Sequence, residues 1–243
     1  MTNLNRYDLQ WILRRCPTSV LAAMKARPNA LFLAGGFIRS VVAKEQVNDI
    51  DLFITSVDQA HPVALELSHN DPRKIHKTDN AFTIKEQLPI QIIFRWVFEN
   101  PEKCMESFDF TISKSAVFWD GSEWRGICSD TFYEDLAAKR LIYTSPVRNE
   151  DAGGSMLRLL KFYQRGYCIT LGSLGSLMAR MLSGVKQVNF DKRAVIGTQE
   201  WESQMGHVLT GLLREVDPAI DPKHVAHLSD LEDKPNKTDD VLP

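Results

Sequence analysis

The sequence predicts a mixed α/β fold in which a largely antiparallel sheet is flanked by helices, followed by a small helical domain. Leu31 to Ile54 reads as a strand, a tight turn, a helix and a second strand. Between Arg73 and Trp96 three short stretches alternate apolar and polar residues, bounded by Asp79-Asn80 and Gln87-Leu88-Pro89, which is the pattern of strands and turns. Beyond Gly153-Gly154 the apolar residues recur at helical spacing. A chain of 243 residues can bury a full core, as one domain with a helical extension or as two small domains. Its 44% apolar and 25% charged residues are ordinary for a globular protein, and a net charge of −2 carries no global nucleic-acid signature.

Taken in order, Leu4 to Ala26 has helical periodicity broken at Cys16-Pro17-Thr18, so two short helices are expected, with Thr18 as a possible cap. Val57 to His69 reads as a helix that starts near Asp58 and ends at Asp71-Pro72. Strands are expected over 73–77, 81–86 and 90–96, then a short helix over 100–107. Asp109 to Ser113 should open a hairpin that runs through Ala116-Val117-Phe118-Trp119 to a two-residue turn at Asp120-Gly121. Further helices are expected over 131–140, 155–167, 172–185 and 198–216, with Gly166 as a C-cap. In the 155–167 helix Leu157, Leu160 and Tyr163 or Gln164 trace one face, and Arg158, Lys161 and Arg165 form a basic stripe.

The chemistry concentrates in Leu31–Ile54. Gly35 and Gly36 at a strand-to-helix junction allow backbone N–H groups to approach an anion closely. Strand alternation puts the carboxylates of Asp49 and Asp51 on one face, with Ile50 and Leu52 on the other. Like charges so close repel, and a cation between them relieves the repulsion. A glycine cradle beside an acidic pair suits a phosphate with its magnesium.

These residues, GGFIRS followed by DID, resemble the GGxVRD and DxD motifs of the head domain of class II CCA-adding enzymes and bacterial poly(A) polymerases, within the DNA polymerase β-like nucleotidyltransferases. Gly35, Gly36, Arg39, Asp49 and Asp51 match, and Ser40 replaces an acidic residue. Many members of that superfamily carry a third carboxylate on the strand that here reads Ile90-Gln91-Ile92-Ile93-Phe94-Arg95. The matching position is Gln91, or Ile90 if the register shifts by one. Arg95 resembles the arginine that ends the family's strand and could neutralise triphosphate charge; a strand-end salt bridge is its other reading.

Asp109-Phe110-Thr111-Ile112 and Ala116 resemble the family's RRDFTINAMA motif, with Ser107 and Phe108 in place of the two arginines and Ser113 in place of Asn. In the family this aspartate helps to hold the nucleotide sugar; an ordinary strand cap is the alternative for Asp109. Arg158 and Lys161 stand where two arginines lie in the family's LRAVRFAARLGF helix, against the alternative of a solvated face. The similarity fades after about Leu171, and no EDxxR base-selecting motif follows. Between Lys139 and Arg193 ten Lys or Arg face three acids, a basic stretch suited to a phosphate backbone.

What the resemblance implies is a template-independent nucleotidyltransferase that moves an NMP from an NTP to an acceptor, foremost an RNA (tRNA) 3′ end. Two Mg²⁺ ions roughly 3.5–4 Å apart would be held by Asp49 and Asp51. Gly35, Gly36, Arg39, Arg95, Asp109, Arg158 and Lys161 would bind the nucleotide. A toxin-like transferase with another acceptor, and a silent nucleotide- or RNA-binding relic, are the alternatives. The expected division is a helical segment over 1–27, the head over 28–146, a neck-like helical domain over 147–228 and a disordered tail over 229–243, shorter than the body and tail that CCA-adding enzymes use to measure tRNA.

Cys16, Cys104, Cys128 and Cys168 show no CxxC or disulfide-framework spacing and are expected as reduced thiols. His224 and His227 have metal-like spacing with no third ligand near them. No apolar run reaches the roughly 18 residues of a membrane span, and the polar start has no signal-peptide profile, so a cytoplasmic location is expected.

Overall fold

The first elements form where the sequence places its breaks. The computed structural model describes residues 1–144, 152–185 and 197–212. A two-residue strand, β1 (Thr2–Asn3), precedes α1 (Arg6–Arg15), which is capped by the Asn5 side chain accepting from the Tyr7 N–H at 2.9 Å. Pro17 occupies the cap position of α2 (Thr18–Lys25), so Thr18 is the first helical residue and makes no cap. The strand–turn–helix–strand unit follows as β2 (Leu31–Ala34), α3 (Gly36–Ala43) and β3 (Ile50–Ile54), and α4 (Ala60–Leu67) follows a 3-10 turn.

The next strands are shorter than their sequence pattern: β4 (Ile75–Lys77), β5 (Ala81–Ile84) and β6 (Ile90–Ile93). Asp71 caps a 3-10 turn over Pro72–Lys74 and pairs with the Arg73 side chain at 2.9 Å, which takes Arg73 out of β4. After α5 (Pro101–Glu106), capped by Asn100, the expected start of a hairpin at Asp109 is not a strand. Thr111–Ser113 is a 3-10 turn instead, and the hairpin consists of β7 (Ser115–Trp119) and β8 (Trp124–Cys128). Its loop is also longer than the two residues expected, because Trp119 pairs with Trp124. Asp120 organises that loop: one carboxylate oxygen accepts from the Ser122 N–H, the Ser122 hydroxyl and the Glu123 N–H, each at 2.8 Å.

The remaining elements are α6 (Phe132–Ala137), β9 (Arg140–Leu141), α7 (Ala152–Gln164), β10 (Cys168–Ile169), α8 (Leu171–Val185) and α9 (Gln199–Leu212). Gly153 and Gly154 lie inside α7, not ahead of it, while Gly166 takes the left-handed conformation that ends it, at φ 81°. Strands β9 and β10 form a small parallel pair with no alternation long enough to be read from sequence.

The main sheet runs in the order β1-β8-β7-β2-β3-β6-β5-β4, with β3 and β6 parallel and the other pairs antiparallel. It is the mixed, largely antiparallel sheet that the sequence predicts. On one face Leu31, Leu33, Ile50, Leu52, Ile90 and Ile92 pack with Ile12, Met24, Phe37, Ile38 and Val63 from the helices. The larger cluster extends to Leu159, Phe162 and Tyr167, so α7 and the chain that follows it dock on this core. On the other face Phe32, Ala34, Phe53, Ile93, Ala116 and Phe118 pack with Cys104 and Met105 of α5. By strand parity Asp51 and Gln91 belong to this second face.

Within α7 the buried large apolar side chains are Leu157, Leu159 and Phe162, whereas Tyr163 is exposed, because the helix is gripped on two sides rather than along one stripe. The expected boundary at 146, the His224/His227 pair and the tail lie outside the described residues. Three cysteines are buried and Cys168 is exposed; burial pushes the Cys16 thiol up to about 12 and the Cys128 thiol up to about 11, which keeps both protonated. Among the described residues no helix is long and apolar enough to cross a membrane.

The fully buried carboxylate of Asp135 ties α6 to the 3-10 turn at Thr111 and to β9. It accepts from Thr111 Oγ1 at 2.6 Å, Thr131 Oγ1 at 2.7 Å and Arg140 Nε at 2.7 Å. Replacing it by Ala leaves a buried hydroxyl without its acceptor, and urea unfolding of Asp135→Ala is expected to show a loss of about 1–3 kcal/mol.

Candidate active site

The Gly-Gly turn positions one end of the site. Gly35 has φ 79°, which a side chain adopts only with strain, and a Cβ there would stand 3.1 Å from the Phe108 ring. Its N–H donates to the Ser115 carbonyl at 3.0 Å, so this glycine fixes the turn to β7 and its amide is spent on the sheet. Gly36 is different. It opens α3, no atom lies within 4 Å of where its Cβ would be, and it lines the cavity described below. The first-turn N–H groups of α3 have no carbonyl within the helix to take them, and the helix dipole adds positive potential there.

Asp49 immediately precedes β3 and Asp51 lies in it; both are half-buried and both line the same cavity of about 290 Å³. The parallel pairing of β3 with β6 sets Gln91 opposite Asp51, the first of the two registers considered. Gln91 is buried, also lines the cavity, and its Oε1 has no hydrogen-bond partner among the described residues. Two carboxylates and an orphaned carboxamide oxygen are an all-oxygen donor set of the kind Mg²⁺ takes, so the residues fit a divalent cation. No group of three His, Cys, Asp or Glu side chains gathers anywhere among the described residues.

The opposite charge comes from α3 and α7. Arg39 is 7% exposed, with its guanidinium 4.8 Å from the Phe162 ring centre and its Nη2 donating to Ser40 Oγ at 3.0 Å. Burial, and secondly Arg165, pull its pKa down to about 10, while Glu45 opposes them. Arg158, Lys161 and Arg165, the three residues of the basic stripe, all line the cavity, so the stripe faces the carboxylates and is not a solvated surface. Asp109 lines it too, buried, accepting from Ser155 Oγ at 2.8 Å and Arg158 Nε at 2.7 Å. This carboxylate is a clamp on α7, not a strand cap.

Arg95 is placed apart from these groups. Exposed at the end of β6, it lies over the Trp96 ring at 4.7 Å, donates to Asn80 Oδ1 at 3.3 Å and is not among the residues that line the cavity. The cavity also contains side chains beyond the expected nucleotide- and metal-binding residues, among them Asn48, Phe53, Trp96, Phe108, Phe162 and Arg165. Strand parity with Asp51 signals Phe53, and spacing from Lys161 signals Arg165. Trp96 and Phe108 sit in irregular chain and have no periodic signal.

Gly35 and Gly36 therefore differ in what they tolerate. Gly35→Ala is expected to lower stability by about 1–3 kcal/mol through its positive φ and the Phe108 ring. Gly36→Ala, in open space and within a helix, is expected to keep or slightly raise the thermal midpoint. Thermal unfolding of both variants checks the contrast.

Solved structures share this fold. The Thermotoga maritima CCA-adding enzyme complexed with tRNA superposes with a TM-score of 0.57 at 19% identity, covering 90% of this chain and 52% of that one. A CCA-adding enzyme in complex with CTP gives 0.57 at 18% identity, with coverage of 90% and 52%. An apo tRNA-processing enzyme gives 0.55 at 17% identity, with coverage of 81% and 60%. The chain thus has a nucleotidyltransferase-like fold and spans just over half the length of these neighbours. No curated protein matches the sequence. Residues 5–139 match the family described as Gabija anti-defense 2 family protein, and with more than half of its length accounted for, the chain belongs to that family.

Proposed function

We propose that this chain is a nucleotidyltransferase, a divergent relative of the class II head, that transfers an NMP from an NTP to an acceptor with release of pyrophosphate. The observation that carries the reading is the meeting, in one cavity, of Asp49, Asp51 and Gln91 with the α3 N-terminus and the cations Arg39, Arg158, Lys161 and Arg165. A triphosphate needs cations and backbone N–H groups along its length and a metal site beside its α-phosphorus. The head over 28–146 would supply the carboxylates, and the helical segment that follows would supply most of the cationic wall.

In this reading an acceptor oxygen attacks the α-phosphorus, and the bond from that phosphorus to the bridging oxygen of the β-phosphate breaks. Mg²⁺ ions held by Asp49 and Asp51, with Gln91 Oε1 as a further donor, would activate the nucleophile and neutralise the leaving phosphates. The N–H groups at Gly36 and the next residues of α3 hold phosphate oxygens, and Arg158 and Lys161 balance their charge. Gly35 shapes the turn and Asp109 orients Arg158. Arg95 contributes at most from the rim, through Trp96.

The acceptor follows a different line of support. The structural neighbours are described as tRNA-processing and CCA-adding enzymes, whereas the family is described by its action against a defence system. That description favours an acceptor belonging to the defence machinery, protein or nucleic acid, over the 3′ end of the cell's own tRNA. Incubation with each α-labelled NTP and Mg²⁺, with total RNA in one arm and the defence proteins in the other, distinguishes the two by where the label appears.

Two outcomes are expected. Asp49→Asn and Asp51→Asn should each lose label transfer by at least about a hundredfold while unfolding as the parent does, since most catalysis here is positioning and electrostatics; full turnover in both variants sinks the assignment. Arg39→Met should weaken NTP binding in equilibrium dialysis by roughly tenfold, and should lower the thermal midpoint because it leaves the Glu45 carboxylate, 3.9 Å from Arg39 Nε, without its cation.

A further inference from the structure

Around Phe53 the cavity has a wall without charge. Phe108 meets Phe53 edge-on, with ring centroids 5.9 Å apart at 87°. The tip of its ring occupies the space beside Gly35, 3.1 Å from a Cβ built there, and the side chain is only half-buried as it reaches the cavity. Trp96, likewise half-buried, lines the same space. These two rings come from the chain between β6 and the 3-10 turn at Thr111, whereas the cations come from α3 and α7. The cavity therefore has a pair of aromatic rings supplied by a segment other than those that supply its cations, while Phe37 and Phe162 line it from α3 and α7.

A bare polyanion would use the cations and the α3 N-terminus and gain nothing from aromatic rings. A ligand with a flat π-face attached to a polyanion uses both, and stacking on an aromatic ring follows the area of the base rather than the pattern of its edge. A base edge is read by side chains that pair with it, among them carboxamides, carboxylates and arginine. Among the described residues the arginines and carboxylates that line the cavity already serve the phosphates, the metal and α7, and the carboxamides are two, Asn48 and Gln91. Asn48 adjoins Asp49, and Gln91 pairs in register with Asp51, so both stand at the carboxylate end.

We infer that Phe108 is the nucleobase platform of this site. The base is held by stacking area rather than by edge recognition, so the site takes purine nucleoside triphosphates ahead of pyrimidine ones and discriminates little between adenine and guanine. The inference rests on the reading of the cavity as a nucleotide site, and goes beyond it by naming the substrate class and the residue that sets it.

Calorimetric titration of the full chain in Mg²⁺, with ATP, GTP, CTP, UTP and inorganic tripolyphosphate, tests it. The parent is expected to bind ATP and GTP with similar affinity, CTP and UTP more weakly, and tripolyphosphate more weakly than ATP. Phe108→Leu, which keeps an apolar side chain without the ring, should weaken ATP and GTP roughly tenfold and leave tripolyphosphate unchanged, while Phe108→Tyr binds as the parent does. Tripolyphosphate binding as tightly as ATP, tighter binding of CTP or UTP than of ATP, or parental ATP affinity in folded Phe108→Leu each overturns the inference. The parent series alone decides it if Phe108→Leu does not fold. A parent that binds tripolyphosphate as tightly as ATP removes the platform and leaves the phosphate site standing; a parent that binds neither removes both.

Discussion

The clamp from the Asp109 carboxylate to Ser155 and Arg158 joins α7 to the chain that carries the main sheet. Asp109 is buried on the sheet side and accepts from both α7 side chains through the same oxygen, at 2.8 and 2.7 Å. A buried carboxylate left without its cation is costly, so the geometry of α7 against the sheet is set with little freedom. Around it Phe162 enters the core beside Phe110, with centroids 5.7 Å apart, and Tyr167 donates to Glu45 at 2.7 Å. The cationic stripe then follows by helical spacing: once Arg158 is fixed, Lys161 and Arg165 must fall along the same side.

The second constraint is the sheet parity that divides β3 and β6. Their even-numbered residues, Leu52, Ile54, Ile90 and Ile92, go to the helix-covered core, and their odd-numbered ones, Asp51, Phe53, Gln91 and Ile93, go to the face under α5. That face is covered at one end by Cys104 and Met105 and faces the cavity at the other. A pair of carboxylates can exist there because the cavity keeps them half-exposed and puts cations across from them. Arg39 shows the cost of the arrangement: its Nε is buried without a hydrogen bond, its pKa is depressed, and its guanidinium is held against Phe162.

Departures from the head-domain motif fall at particular places in this geometry. Phe108, at a position where the resembling family has arginine, packs beside Gly35 and turns part of the cavity apolar. Ser40 accepts from Arg39, where an acid would pair with it. Gln91 offers a neutral oxygen beside Asp51. Ser40 and Gln91 lower the negative charge near the carboxylates, whereas Phe108 removes a positive one and adds apolar surface to the cavity.

The sequence by itself determined the central strands β2, β3 and β6, the Gly-Gly turn, the acidic pair and the basic stripe, because each is written in local pattern: a short apolar run ended by glycines for β2, alternation for β3 and β6, and three- and four-residue intervals for Arg158, Lys161 and Arg165. The sequence, through its resemblance to the head-domain family, left Gln91 or Ile90 as the position facing the acidic pair, and the β3–β6 pairing decides for Gln91. The sequence misplaced Asp109–Ser113 as strand and Asp120-Gly121 as a two-residue turn, where buried side-chain contacts and the Asp120 carboxylate override local propensity. Only the tertiary structure decided that Asp109 clamps α7, that the Gly35 amide is bonded to Ser115, that Arg95 stands outside the cavity, and that Trp96 and Phe108 stand within it. Those placements depend on contacts between residues far apart in the chain, and on irregular segments with no period to read, so no local pattern encodes them.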